Sequence, residues 1–208
     1  KEILNSAVKF CIPLTISALF WYCLTGIDRL FLERLNDIEQ LGIYNVGVSI
    51  AAYMHILYTT LSNTFEPDIY QSIAQKNKKK TFLLVFVIII TVSLANSIFI
   101  LLSEYLIDLL TAGRYIASTP FVRILALSNI TMACYYMVVR LIIGQGYTKG
   151  ELKVRIIGAS CSVIVFYFLI QKYQFYGAAW GQVLSFAILT LIGIVYLSYK
   201  KKYGQNKI

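Results

Sequence analysis

The side chains able to do chemistry stand where the surrounding chain is almost wholly apolar. Arg123 and Arg140 lie in one such stretch, seventeen residues apart. On an ideal helix that spacing separates them by roughly 25 Å along the axis and about 100° around it, so they serve different sites. Each either snorkels its long side chain to the nearest interface or turns inward and offers a planar guanidinium fork to an anion. In an earlier stretch Asn45, Ser49, Ala52, His55, Thr59, Ser62 and Glu66 recur at steps of 4, 3, 3, 4, 3 and 4. Steps near the helical repeat place them on one stripe. The stripe ends at Glu66-Pro67, where the proline lacks a backbone donor and predicts a break or kink. It is either a face on which small residues let helices approach or the lining of a watery cavity. His55 is either a hydrogen-bonded structural residue or a proton-coupling group. Asp28 and Arg29, adjacent at the end of an apolar run, are surface charges or a gate between helices. Asp28, Arg29, Asn45, His55, Thr59, Glu66, Arg123 and Arg140 are therefore the candidate binding or gating residues.

Most other chemistry has no visible constellation. Cys11, Cys23, Cys134 and Cys161 all fall in apolar stretches with no CxxC pair and no matching histidines, so they read as packing residues rather than zinc ligands or a disulfide framework. A Walker-type loop is missing, and Gly144-Gln145-Gly146-Tyr147 lacks the spacing to cradle a nucleotide. The single histidine cannot form an HExxH pair. Asn129-Ile130-Thr131 matches a glycosylation acceptor but sits in an apolar stretch, where the match is fortuitous. The reading is of a non-enzyme that needs neither metal nor cofactor.

The elements that carry these residues are membrane helices. Six nearly charge-free spans run over about 7–27, 41–65, 81–103, 120–143, 156–171 and 177–199. Each approaches the roughly 20 residues that an α-helix needs to cross about 30 Å of hydrocarbon, and the fifth is the shortest. With 58% hydrophobic and only 14% charged residues, a soluble 208-residue domain would hold far more apolar surface than its core could bury. Backbone groups in lipid must be satisfied internally, so the spans are helices. The fold class is an all-α membrane protein, one domain over residues 1–208 formed by a bundle of six transmembrane helices.

Basic residues fix the orientation, because they resist translocation whereas acidic ones matter little. With the N-terminus inside, the cytoplasmic segments collect Lys1, Lys9, Lys76, Lys78, Lys79, Lys80, Lys149, Lys153, Arg155, Lys200, Lys201, Lys202 and Lys207. The outer loops hold only Arg29, Arg34, Arg114 and Lys172, and the first of them also carries Asp28, Glu33, Asp37 and Glu39. Both termini are expected to be cytoplasmic, in a multi-pass protein of the cytoplasmic membrane. The net charge of +9 is dispersed over loops rather than gathered on one face, which argues against nucleic acid. Anionic lipid headgroups suit the runs Lys76 to Lys80 and Lys200 to Lys202, at about 1 kcal/mol per basic residue near the surface.

Smaller features complete the reading. Tyr167, Tyr173, Phe175, Tyr176 and Trp180, and Tyr196, Tyr199 and Tyr203 on the other side, form interfacial belts. Tyr22, Tyr53, Tyr135 and Tyr136 lie deeper, where a hydroxyl needs a partner and a ring face can stack on a sugar. Pro13, Gly42, Gly47 and Pro67 are bending points. Segments 67–75 and 103–117 are expected to lie along the two membrane surfaces, the second with Tyr105, Leu106, Leu109 and Leu110 towards lipid. The chain begins at Lys1 rather than a methionine and shows no targeting segment, which predicts a piece of a longer protein.

Several short stretches in order resemble a known family. Pro13-Leu14, then Asp28-Arg29-Leu30-Phe31-Leu32, then Leu41-Gly42-Ile43-Tyr44-Asn45-Val46 are similar to the start of the C-terminal half of Wzx-like polysaccharide-unit flippases of the multidrug/oligosaccharidyl-lipid/polysaccharide (MOP) superfamily. Tyr176-Gly177-Ala178-Ala179-Trp180-Gly181 resembles the Gly-Ala-Ala element that opens that family's late helices. The resemblance covers nearly the whole chain and implies one lobe of a two-lobe transporter with 12 or more helices. Its partner would be an N-terminal lobe of the same parent chain. Its cargo would be a polyprenyl-pyrophosphate-linked oligosaccharide, moved by alternating access for O-antigen, lipopolysaccharide or capsule synthesis. Asp28 and Arg29 match the family's Asp-Arg pair, with no catalytic role attached. Two alternatives are half of a MATE-type drug exporter, which would favour acidic cavity residues, and a membrane subunit that transports nothing.

Overall fold

The structure is a computed structural model that describes residues 2–204, with side chains described at 11, 12, 15, 16, 18, 20, 21 and 24–200. Lys1 and Lys207, and the side chains of Lys9, Pro13, Tyr22, Cys23, Lys201, Lys202 and Tyr203, lie outside the described residues. Among the described residues the secondary structure is entirely helical. The long helices are α1 (Glu2–Leu32), α2 (Ile38–Ala74), α3 (Lys78–Thr111), α4 (Thr119–Gly144) and α5 (Thr148–Gly204), with single 3-10 turns at Glu33–Leu35 and Ile116–Ser118. Among the described residues four stretches, lying in α2, α3, α4 with its preceding turn, and α5, are long and apolar enough to cross a membrane.

Local chemistry sets the helix ends. The side chains of Asp37 and Asn77 accept from the backbone N–H of Gln40 and Lys80, capping the starts of α2 and α3. α3 stops where Ala112 and Gly113 turn left-handed, with φ of 49° and 77°, and both amides reach back to the Asp108 carbonyl. Gly146, at φ 81°, turns the chain from α4 into α5 while the Gly146 and Tyr147 amides bond to Ile143 and Ile142. The glycine pair with no nucleotide spacing is thus a helix reversal. Gly144, beside it, lets α4 approach α2, since a methyl there would crowd Ile73 and Tyr70.

Two segments expected to lie along the membrane surface are instead continuous with the helices before them. α2 runs through Pro67 to Ala74, because Ile69 and Ser72 are fully buried and the Ser72 hydroxyl meets that of Thr81 on α3 at 2.7 Å. That burial offsets the one backbone bond the proline cannot make. Likewise α3 continues past Ser103 to Thr111, since Ser103 and Ile107 are buried against the rest of the bundle. Of the four residues expected towards lipid, Tyr105, Leu109 and Leu110 are exposed, whereas Leu106 is half-buried against the cluster of Ile50, Phe99, Ile107, Val122 and Ala126.

α5 is two arms. Gln174, at φ 49° and ψ −123°, interrupts it, and the arms 148–173 and 175–204 lie side by side. Glycines show the register: a methyl on Gly150 would meet Tyr196, on Gly158 Leu189, on Gly181 Phe166, and on Gly177 the backbone carbonyl of Leu169. The pairs step steadily away from Gln174, as an antiparallel hairpin requires. Gly177→Ala is expected to destabilise the protein by about 1–3 kcal/mol, the ordinary cost of forcing a methyl into a full space, read as a fall in melting temperature in detergent.

α4 is the central rod. It contacts α2, α3 and α5, while α1 lies against α5. Its buried face includes Phe121, Val122, Leu125, Ala126, Met132, Tyr135 and Met137, and Asn129 donates to the Ala51 carbonyl on α2 at 3.0 Å. The glycosylation-like asparagine is a buried cross-helix tie. Gly47 brings α2 within close reach of Phe121 on α4, whereas Gly42 has open space around it. The outward face of α3 is mostly apolar, with Phe82, Leu83, Phe86, Val87, Ile90, Leu94, Ile98 and Leu101 exposed and Thr91 and Ser97 among them.

Candidate functional site

Polar residues gather in three buried clusters that tie distant helices. The first holds Arg140. From α4 its Nη1 lies 2.9 Å from a Glu66 carboxylate oxygen and donates to the Ser62 carbonyl at 2.8 Å. Nη2 donates to Asn63 Oδ1 at 3.0 Å. The snorkelling alternative does not describe this side chain: Arg140 is 8% exposed and spends its donors on α2. Pro67, just beyond, has no N–H to give the Asn63 carbonyl four residues back, so the α2 backbone is already short of a donor there. The guanidinium therefore braces the weakest turn of α2.

The second cluster was not among the candidate residues. Arg155, counted as a loop residue from the sequence, lies inside α5 at 8% exposure. Its Nη2 pairs with Glu151 at 2.6 Å, and Glu151 is 1% exposed. Nε donates to the Tyr135 hydroxyl at 3.3 Å, and the guanidinium carbon sits 5.6 Å from the centre of the Trp21 ring and 6.0 Å from that of Tyr135. Trp21, Tyr135, Tyr136 and Phe186 surround one another, with Trp21 5.1 Å from Tyr136 and 5.5 Å from Phe186. α1, α4 and both arms of α5 thus enclose one cation in an aromatic box. The only sequence hint was the acid four residues before the base, the favourable order on a helix.

The third cluster lies near the opposite end of the bundle. Asp28, 1% exposed, accepts from the Tyr44 hydroxyl at 2.9 Å, Gln182 Nε2 at 3.1 Å and the Arg29 amide at 2.9 Å. It latches α1, α2 and the second arm of α5. The adjacent Arg29 is exposed, so the two residues do not share one environment. Tyr44 is itself fully buried between Phe121 and Phe175. Tyr44→Phe is expected to lower stability by about 1.5–3 kcal/mol, the range for a hydrogen bond to a charged group, measured by unfolding in detergent.

The remaining candidates are scattered. Arg123 pairs with Glu104 at 3.3 Å and donates through Nε to Ser103 at 3.0 Å, at the far end of α4 from Arg140. The two arginines indeed occupy separate sites. His55 is half-buried with its ring 6.2 Å from that of Tyr58, and the Thr59 hydroxyl donates to the Ile56 carbonyl. Along the stripe Ser62 is buried against α4, whereas Ser49 and Ala52 are exposed. Asn45 Oδ1 is buried without a partner beside a cavity of about 360 Å³ that Ser49 and Tyr53 also line. Ser49, Tyr53, Thr60, Asn63 and Thr64, with Ile56 and Leu57 among them, give α2 an exposed side richer in polar groups than the outward side of α3, where Thr91 and Ser97 are the exposed hydroxyls between Phe82 and Leu102. The Ser49, Thr60 and Thr64 hydroxyls donate to carbonyls one turn back, so no backbone bond is lost in presenting them.

A helical bundle with several helices long and apolar enough to cross a membrane is the architecture of a multi-pass membrane protein. The MatE family profile matches residues 13–168, and the chain belongs to that family of membrane transporters. It is also similar to the capsular polysaccharide biosynthesis protein CapF of Staphylococcus aureus, with 26% identity over 209 residues that cover 95% of this chain and 52% of CapF. The chain thus spans about half the length of that relative. No solved structure matches it.

Proposed function

We propose that this chain is one lobe of a flippase that moves a polyprenyl-pyrophosphate-linked oligosaccharide across the bacterial cytoplasmic membrane by alternating access. Six spans would arise by counting the arms of α5 separately and adding α1, with both termini cytoplasmic. A second lobe in the parent chain would face α2. The observation that carries this reading is the exposed polar side of α2. In lipid, polar side chains turn towards protein or a watery cavity, and the larger share of polar side chains on the exposed side of α2 than on that of α3 supports α2 as the cavity wall. Arg140, paired with Glu66, stands directly behind that wall, and its donors lie near the path of an anionic pyrophosphate, whose desolvation would otherwise be costly. The similarity to a capsular polysaccharide biosynthesis protein supports a glycolipid cargo.

The test is cysteine accessibility in the intact protein with its native cysteines replaced. Ser49→Cys, Thr60→Cys and Asn63→Cys are expected to react with a water-soluble maleimide and to be protected when lipid-linked oligosaccharide accumulates. Leu94→Cys and Ile98→Cys should stay unreactive. Equal labelling on α2 and α3, or labelling that ignores the glycolipid, would remove the cavity from α2.

A further inference from the structure

Where the α2–α3 and α4–α5 turns meet the last part of α5, the bundle leaves a cleft of about 670 Å³, within the range of pockets that hold small molecules. Lys76, Lys78 and Lys200 line it above an apolar floor that includes Phe82, Val85 and Leu141. Among its described lining residues there is no carboxylate. Lys200 Nζ sits 5.3 Å from the centre of the Tyr147 ring, which also borders the cleft. Phe82 stacks on Phe86 with ring centres 6.0 Å apart and planes 15° from parallel. Both rings are exposed, so the apolar floor continues along the outward face of α3 from Phe82 to Ile90.

Three cations at the mouth and an apolar track leading away match an amphiphile with one anionic head. We propose that this cleft holds one anionic glycerophospholipid, its phosphate among Lys76, Lys78 and Lys200 and an acyl chain along Phe82 and Phe86. Lysine suits the head because it binds phosphate as a point charge and adapts to either unesterified oxygen. Gln145 and Ser198, also in the lining, offer hydrogen bonds to the glycerol. None of the residues on the polar side of α2, and neither Arg140 nor Glu66, lines this cleft. The lipid is therefore a resident ligand joining the α2–α3 turn to the end of α5, separate from the cargo path, and its binding does not depend on what the protein transports.

The experiment is native mass spectrometry of the intact protein in neutral detergent, titrated with dioleoylphosphatidylglycerol or dioleoylphosphatidylcholine. One phosphatidylglycerol per chain is expected to be retained in preference to phosphatidylcholine. Lys76→Gln/Lys78→Gln/Lys200→Gln should weaken retention about 100-fold and Lys200→Gln alone about fivefold, as neutralising three charges or one near a lipid surface implies. Lys79→Gln/Lys80→Gln/Lys149→Gln, an equal charge loss outside the cleft, should stay within about threefold of wild type. Inorganic phosphate at the same concentration should displace nothing. Equal retention of phosphatidylcholine, or an equal loss in the control variant, would overturn the site. So would displacement by inorganic phosphate, which would make it a simple anion pocket. Preferential, lysine-dependent binding of a polyprenyl phosphate would make it a cargo entrance and overturn the resident-lipid assignment while leaving the flippase reading standing.

Discussion

Arg155→Ala is expected to destabilise the protein by about 3–5 kcal/mol, because the buried Glu151 carboxylate would lose the guanidinium that lies 2.6 Å from it. The enclosing rings add about 0.5–2 kcal/mol through loss of the cation over Trp21 and Tyr135. Arg155→Lys should recover part of this, since a lysine keeps the charge but not the fork that reaches Glu151 and Tyr135 together. The double change Glu151→Leu/Arg155→Met should be nearly neutral or stabilising, as replacing a buried pair with apolar residues of similar volume often is. Thermal unfolding of the four proteins in one detergent decides the matter. A single alanine variant that melts with wild type would mean the pair contributes nothing.

Arg140→Ala should be the more damaging change for transport. It removes the brace on the Ser62 carbonyl and Asn63 and leaves Glu66 facing α4 without its cation. The stability loss should fall at or below the low end of about 3–5 kcal/mol, because the Glu66 side chain is 34% exposed and water can take over part of its solvation. Export of lipid-linked sugar, measured by complementation with protein levels checked, should fall at least tenfold. Arg140→Lys should retain an intermediate rate, since a point charge survives while the paired donors are lost. Unchanged export at normal abundance would reduce Arg140 to a packing residue.

Different parts of this molecule were legible in the sequence for different reasons. Apolar runs and the placement of lysines depend only on local composition, so the helical class and the separation of Arg123 from Arg140 could be read directly. Segments 67–74 and 103–111 look like surface helices because they are polar and follow a proline or an apolar run. What keeps them in α2 and α3 is burial of Ile69, Ser72, Ser103 and Ile107 against helices that local sequence does not name. Arg155 lies two residues after Lys153 at the edge of an apolar run and looks like a loop charge. Its true surroundings come from Trp21 and Tyr135, far away in the chain. Asp28 likewise finds Tyr44 nearby but Gln182 only 154 residues on. The stripe on α2 could not be assigned to one use because it has two: Ser62 and Glu66 meet Arg140, while Ser49 and Ala52 face outward.

The glycines of α5 bear on how such a lobe can move. The gaps at Gly150, Gly158 and Gly181 receive a bulky neighbour from the opposite arm, and that at Gly177 the Leu169 backbone itself, so the arms mesh like a rack whose teeth are cut to one position. Sliding them by a single helical turn would drive Leu189, Phe166 or Tyr196 into occupied space. Any rocking must be borne elsewhere, and the short stretch from residue 33 to 37, where Asn36 turns left-handed between α1 and α2, is the joint with no such teeth.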